Sequence, residues 1–168
     1  MKIIKTFAAA LFVSAIFAVS AYSQAVLTSL DGSRVDVEGQ RGKVVILAVG
    51  ASWLPLSAKQ AEFTNTLARR YTGKDVVVYF ISTDSATPKS RNFASDDDIR
   101  KFATTNKLGE TVLRDPDGGI VLKRYSIDQL PAFVIIDKAG HRSGEVFGGI
   151  DPKNDITLPI SRAVDKLL

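Results

Sequence analysis

Uninterrupted apolar runs alternate along this chain with polar, turn-prone segments. Val44–Val49 and Val76–Ile81 are interrupted by nothing more polar than the Tyr79 hydroxyl. Such runs mark strands covered on both faces, where a half-exposed strand would alternate. Between them Leu56, Phe63, Leu67 and Tyr71 fall on one stripe of a helix ending before Gly73, and Pro55 sits where a first helical turn tolerates it. Strand, helix and strand in this order predict a βαβ unit, parallel and right-handed.

Shorter signals flank that unit. Asp31-Gly32, between Val26-Leu27 and Val35–Val37, predicts the turn of a small hairpin. Ser82 to Ser95 is polar, contains Pro88 and reads as a loop, after which Asp96, Asp97 and Asp98 complement the positive end of a helix carrying Ile99, Phe102 and Ala103. Asp115-Pro116-Asp117-Gly118-Gly119 reads as a turn. Its Asp-x-Asp-Gly is shared with calcium loops, but the other carboxylates of such a loop are missing, so no metal is assigned. Ala132–Ile136 is a further buried strand, Asp137–Gly140 turns into Glu145-Val146-Phe147, and Ile160, Val164, Leu167 and Leu168 form the stripe of a closing helix with Pro159 in its first turn.

The first residues follow another logic. Lys2 and Lys5 precede a largely apolar, uncharged run from Phe7 to Val19, and Ser20-Ala21-Tyr22-Ser23 offers small residues at cleavage spacing. This is the pattern of a secretory signal peptide over residues 1–23. A bilayer-spanning helix would need roughly 20 apolar residues, more than this run supplies. Residues 24–168 are then expected as one exported domain, periplasmic or secreted, with no stable membrane span after cleavage.

Composition narrows the chemistry. Lys+Arg number 22 and Asp+Glu 18 in 168 residues, and losing Lys2 and Lys5 halves the formal net charge of +4. No concentrated basic face results, which argues against a nucleic-acid partner. The chain has no cysteine. That excludes disulfides, Fe–S ligation, thiolate zinc sites, a thiol nucleophile and a lipid anchor on cysteine. The single histidine, His141, rules out a multi-His metal site. No glycine-rich phosphate loop or nucleotide fingerprint occurs, and no cofactor is expected.

A resemblance emerges from motifs taken together. Gly42–Leu47, Ala51-Ser52-Trp53-Leu54-Pro55-Leu56-Ser57, Asp115–Gly118, Tyr125, Leu130-Pro131 and Ile136–Gly140 are similar, in order and spacing, to the periplasmic thioredoxin-like thiol:disulfide oxidoreductase and redoxin family. The resemblance implies an α/β, thioredoxin-like fold with a central mixed β-sheet flanked by helices and an N-terminal β-hairpin. It also implies a cis proline at Pro131 facing the Trp53–Ser57 turn, a bond type that proline alone adopts at modest cost.

The departures from the family decide the functional expectation. The family carries Cys-x-x-Cys after the tryptophan, and those two positions are Leu54 and Ser57 here. Thiol exchange needs a thiolate at the helix N-terminus and a second thiol to resolve the mixed disulfide. Leu54 has nothing to ionise, and Ser57 has no histidine or other base nearby in sequence to activate it. On the preceding strand, a position often polar or acidic in this fold is Ala48, and the customary aromatic is Gly50. Peroxide reduction by a peroxidatic cysteine fails on the same ground.

Trp53, Leu54, Pro55, Leu56, Leu130 and Pro131 would border one shallow apolar surface, where redox-active relatives hold their thiols and pair extended peptide with the backbone of the residue corresponding to Leu130. Exposed apolar patches tend to mark partner sites. The expectation is a redox-inactive, exported module that binds a polypeptide or protein partner there. Two alternatives stay open: Leu54 and Leu56 simply pack into the domain, or an oxidoreductase or antioxidant-type role persists through an external cofactor or partner. Asp84, near the end of the second buried strand, reads as a loop cap or surface charge, and His141 as a solvated turn residue.

Overall fold

A computed structural model describes residues 25–168, so the expected signal peptide lies outside the described residues. The elements are β1 (Val26–Ser29), β2 (Arg34–Asp36), β3 (Val44–Gly50), α1 (Ser57–Arg70), β4 (Val76–Ser82), α2 (Asp96–Thr105), β5 (Thr111–Arg114), α3 (Val121–Tyr125), β6 (Ala132–Ile136), β7 (Phe147–Gly148) and α4 (Thr157–Asp165). The strands form one seven-stranded sheet in the order β2-β1-β5-β4-β3-β6-β7. β3, β4 and β5 run parallel, while the hairpin β1–β2 and the pair β6–β7 join them antiparallel. This is the mixed sheet with flanking helices and N-terminal hairpin that the resemblance implied.

The continuous apolar runs have a direct cause in the layers. In β3, Val44, Ile46 and Ala48 face a core shared with Phe63 and Leu67 of α1, Ile99 of α2 and Ile160 and Val164 of α4. Val45, Leu47 and Val49 face the other core, shared with Val121 and Tyr125 of α3. With both faces covered, neither parity can be polar, and every residue of β3 is buried.

Helix starts and turns follow local chemistry. Ser95 and Asp98 form a capping box at the start of α2, the Asp98 N–H donating to Ser95 Oγ and the Ser95 N–H to Asp98 Oδ2. At the β1–β2 turn, Asp31 Oδ1 accepts from the Ser33 N–H at 2.9 Å and from the Ser29 hydroxyl, while Gly32 takes a φ of 88° that suits glycine.

Some elements differ from the sequence expectation. α1 begins at Ser57, so Pro55 precedes the helix instead of occupying its first turn. The cause is a tight turn, in which the Leu54 N–H donates to Ala51 O and the Ser57 N–H to Leu54 O. β5 and α3 have only 4 and 5 residues, too short for a periodic signal. β5 completes the sheet by joining the hairpin to β4. The Asp115–Gly119 turn holds its acid inward: the buried Asp115 carboxylate accepts from the Ile120 and Val121 N–H groups at the start of α3.

Candidate functional site

The site is built where three strands meet at one end of the sheet. β3 and β4 are parallel with Gly50 opposite Ser82, so the segments that follow them leave the same edge. β6 runs antiparallel to β3 with Ala132 opposite Val49, so the residues that precede it arrive at that edge too. The Trp53 turn therefore lies between the segment after β4 and the Leu130-Pro131 peptide, which is cis as expected.

Two buried polar side chains tie this end together. Asp84 is 1% exposed, and its carboxylate accepts four hydrogen bonds: the Ser52 N–H at 3.1 and 3.0 Å to its two oxygens, the Ser52 hydroxyl at 2.6 Å and the Ser82 hydroxyl at 2.7 Å. It is thus a cap for the Trp53 turn, and the alternative of a surface charge is corrected by its burial. Such satisfaction is what a buried carboxylate requires. Thr83 reinforces the link, its N–H and hydroxyl both donating to Gly50 O at 2.8 and 3.0 Å.

Gln60 of α1 is the second tie. Fully buried, it donates through Nε2 to Val49 O and Ala132 O, each at 3.0 Å, joining α1 to the ends of β3 and β6. Gln60 Oε1 lies against Gly50, where an added Cβ would stand 2.1 Å from that oxygen. Gly50, which departs from the family's aromatic, is explained by the space Gln60 takes.

The positions of the expected thiols are filled differently from each other. Ser57 is 5% exposed, and its hydroxyl donates to Ser52 O at 3.1 Å, which makes it a brace of the turn. Leu54 is half-buried. Around them, Trp53 is 51% exposed and Pro55 is exposed, whereas Leu56 packs against the α1-side core, Leu130 packs against the other core, and Pro131 is buried. The projecting apolar groups are therefore Trp53 and Pro55, with part of Leu54. Among the described residues no basic or acidic side chain hydrogen-bonds the Ser57 hydroxyl, and His141 is exposed in the β6–β7 turn, where its N–H donates to Asp137 Oδ1.

Two open depressions of the surface involve none of these residues. One of about 280 Å³ lies between α1 and the residues before α4, and one of about 400 Å³ lies between Leu30 and Arg100. Among the described residues no group of three or more His, Asp or Glu could hold a metal ion, and no helix is long and apolar enough to cross a membrane. Sequence reading missed Gln60 and understated Asp84. The only local signal for either was a polar residue at a position that helix periodicity or strand register turns inward.

Comparison with known proteins agrees with this arrangement. The thiol-disulfide oxidoreductase ResA of Bacillus thuringiensis is 26% identical over 123 residues, covering 73% of this chain and 65% of its own length. The match thus spans less than two thirds of that relative. Among solved structures, the exposed lipoprotein thioredoxin Etrx1 of Streptococcus pneumoniae superposes with a TM-score of 0.67 at 23% identity, covering 86% of this chain and all of that one. A secreted disulfide oxidoreductase of Mycobacterium tuberculosis gives 0.63 at 22% identity over 86% of this chain and 96% of its own. These superpositions show a thioredoxin-like fold. The sequence model of the AhpC/TSA family matches residues 20–141, and the chain, cysteine-free as it is, belongs to that family.

Proposed function

We propose that this protein is an exported, redox-inactive member of its family that binds a polypeptide on the surface around Trp53 and Pro131. The observation that carries the reading is the state of the two thiol positions. Leu54 is a half-buried apolar group, and Ser57 is a buried hydroxyl bonded to the Ser52 carbonyl, so neither can take part in exchange. This end of the fold nonetheless has the cis Leu130-Pro131 peptide beside the turn and an indole half in solvent. Exposed aromatics on a rigid turn are common anchors of protein interfaces.

Export rests on the Lys2/Lys5 segment and apolar run of residues 1–23. It is supported by two structural neighbours that are described as a secreted oxidoreductase and an exposed lipoprotein. The amino-terminal sequence of the protein recovered from cells tests it, with Gln24 as the expected first residue and Met1 as the contrary one.

The binding reading is tested by pull-down with the purified protein and with Leu54→Asp. Loss of every captured partner in the variant is expected, and capture unchanged by the substitution would end the proposal. An oxidoreductase role supported by an external redox group is separated by a disulfide-reduction assay, in which no turnover above background is expected.

A further inference from the structure

We propose that the loop 85–94 selects acidic polypeptide segments for the Trp53 surface, a reading that rests on the proposed binding role and names its partner class. The loop leaves β4 three residues after Ser82, as Trp53 follows β3 three residues after Gly50, and those two strand ends are in register. Its base is fixed to the Trp53 turn by the bonds from Ser52 to Asp84 and from Thr83 to Gly50 O. The Leu130-Pro131 peptide lies on the other side of that turn, because β3 stands between β4 and β6.

The loop is held by hydrogen bonds between its own residues, with Ala94 anchored in the core beside α2. Its neck is closed by Ser85 N–H to Asn92 O at 2.9 Å and Ala94 N–H to Ser85 O at 3.1 Å, and its interior by Ser90 N–H to Thr87 O at 2.8 Å and Phe93 N–H to Ser90 O at 3.2 Å. Ser85 and Ala94 are buried, whereas Lys89, Arg91 and Phe93 are exposed, the phenyl ring to 40%. A preorganised loop displays these side chains at little further entropic cost on binding.

Charge points to the partner. The loop carries two cations and no acid, and among the described residues neither Lys89 nor Arg91 has an ion-pair partner. The acids around it are each already held by another group, Asp117 by Ser85 at the neck of the loop itself. Asp84 is satisfied inside, Asp96 pairs with Arg114, Asp97 with Arg100, Asp98 caps with Ser95, and Asp117 Oδ2 accepts from the Ser85 hydroxyl at 3.3 Å. An apolar turn tied to the base of a loop that carries two unpaired cations complements a chain in which carboxylates flank an apolar residue.

The test uses two fluorescein-labelled decapeptides sharing one Leu-Phe-Val core, one flanked by glutamates and one by lysines, with anisotropy read on the full chain. The glutamate peptide is expected to bind about fivefold tighter, the size of two exposed ion pairs, and the preference to shrink as salt rises. Lys89→Glu/Arg91→Glu, with its thermal melt unchanged, reverses the preference, while Leu54→Asp weakens both peptides. Equal affinities in the unaltered protein, or a preference that survives charge reversal, overturn the loop's role; if Leu54→Asp still weakens binding, the binding reading itself stands. Failure to bind either peptide overturns both. Phosphatidylglycerol vesicles captured through Lys89 and Arg91, with the peptides bound equally, would overturn the polypeptide assignment.

Discussion

The carboxylate of Asp84 accepts both the backbone N–H and the hydroxyl of Ser52, the residue immediately before Trp53. One buried side chain therefore sets the direction in which the turn leaves β3. Removing it orphans the buried Ser82 hydroxyl and the hydroxyl and N–H of the half-buried Ser52, each costing up to about 1–3 kcal/mol when it finds no substitute partner. Asp84→Ala is expected to lower unfolding stability by about 2 kcal/mol or more in urea titration, and Asp84→Asn by less, since an amide oxygen still accepts. A change within about 0.5 kcal/mol for Asp84→Ala would show that the tie is dispensable.

Gly50 and Gln60 form a second coupled pair. A Cβ at Gly50 would press 2.1 Å from Gln60 Oε1 and displace the amide from Val49 O and Ala132 O. Gly50→Ala is expected to destabilise by roughly 1–3 kcal/mol. Against a Gln60→Ala background the same substitution should cost much less, and additive losses in the double-mutant cycle would refute the steric account.

Acid should loosen the β1–β2 turn. Hydrogen bonds from Ser29 and Ser33 lower the Asp31 carboxyl to about 2. A depressed carboxylate stabilises the fold above its ordinary range and loses that contribution as pH falls through the folded value. Asp98, held down by Ser95, and Asp165, held down by Tyr71 and Arg70, act in the same direction. Asp115 acts oppositely, because burial raises it despite the Ile120 and Val121 N–H groups. Thermal melts should fall between about pH 4 and pH 2, and Asp31→Asn should reduce that slope; an unchanged slope would remove Asp31 from the account.

Reinstalling the thiols tests how much of the redox scaffold survives. Leu54→Cys/Ser57→Cys places two sulfurs where the Ser57 N–H already donates to Leu54 O at 3.0 Å, a turn that brings the two residues close. The double variant is expected to form an intramolecular disulfide, read by thiol titration before and after reduction. Weak turnover of a disulfide substrate should accompany it, since Ala48 replaces the polar position beneath the site. Two persistently free thiols under oxidising conditions would mean that the turn no longer has the geometry for a disulfide.

The central strands were legible because β3, β4 and β6 are covered on both faces and leave unbroken apolar runs. The Asp96–Asp98 helix start was legible because capping is local. β5 was not, since Thr111–Arg114 owes its form to β1, distant in sequence, and α3 was not, since the five residues Val121–Tyr125 are too few for a periodic signal. At the candidate site, Leu54, Ser57 and the cis Leu130-Pro131 peptide could be placed through the family pattern. Gln60 and Asp84 could not, because the bonds from Gln60 to Ala132 and from Ser52 to Asp84 span 72 and 32 residues and no spacing rule links them. The division between Trp53, which projects, and Leu56 and Pro131, which turn inward, likewise depends on packing that composition does not record.

Trp53 is the one tryptophan of the chain, so its emission reports on the proposed surface directly. Titration of the protein with a reduced, carboxymethylated, permanently unfolded polypeptide is the most direct measurement. A saturable blue shift is expected as the half-exposed indole leaves water, absent in Leu54→Asp, with no reduction of disulfide substrates by either protein. An emission spectrum that stays constant while the polypeptide binds, or no binding at all, would contradict it.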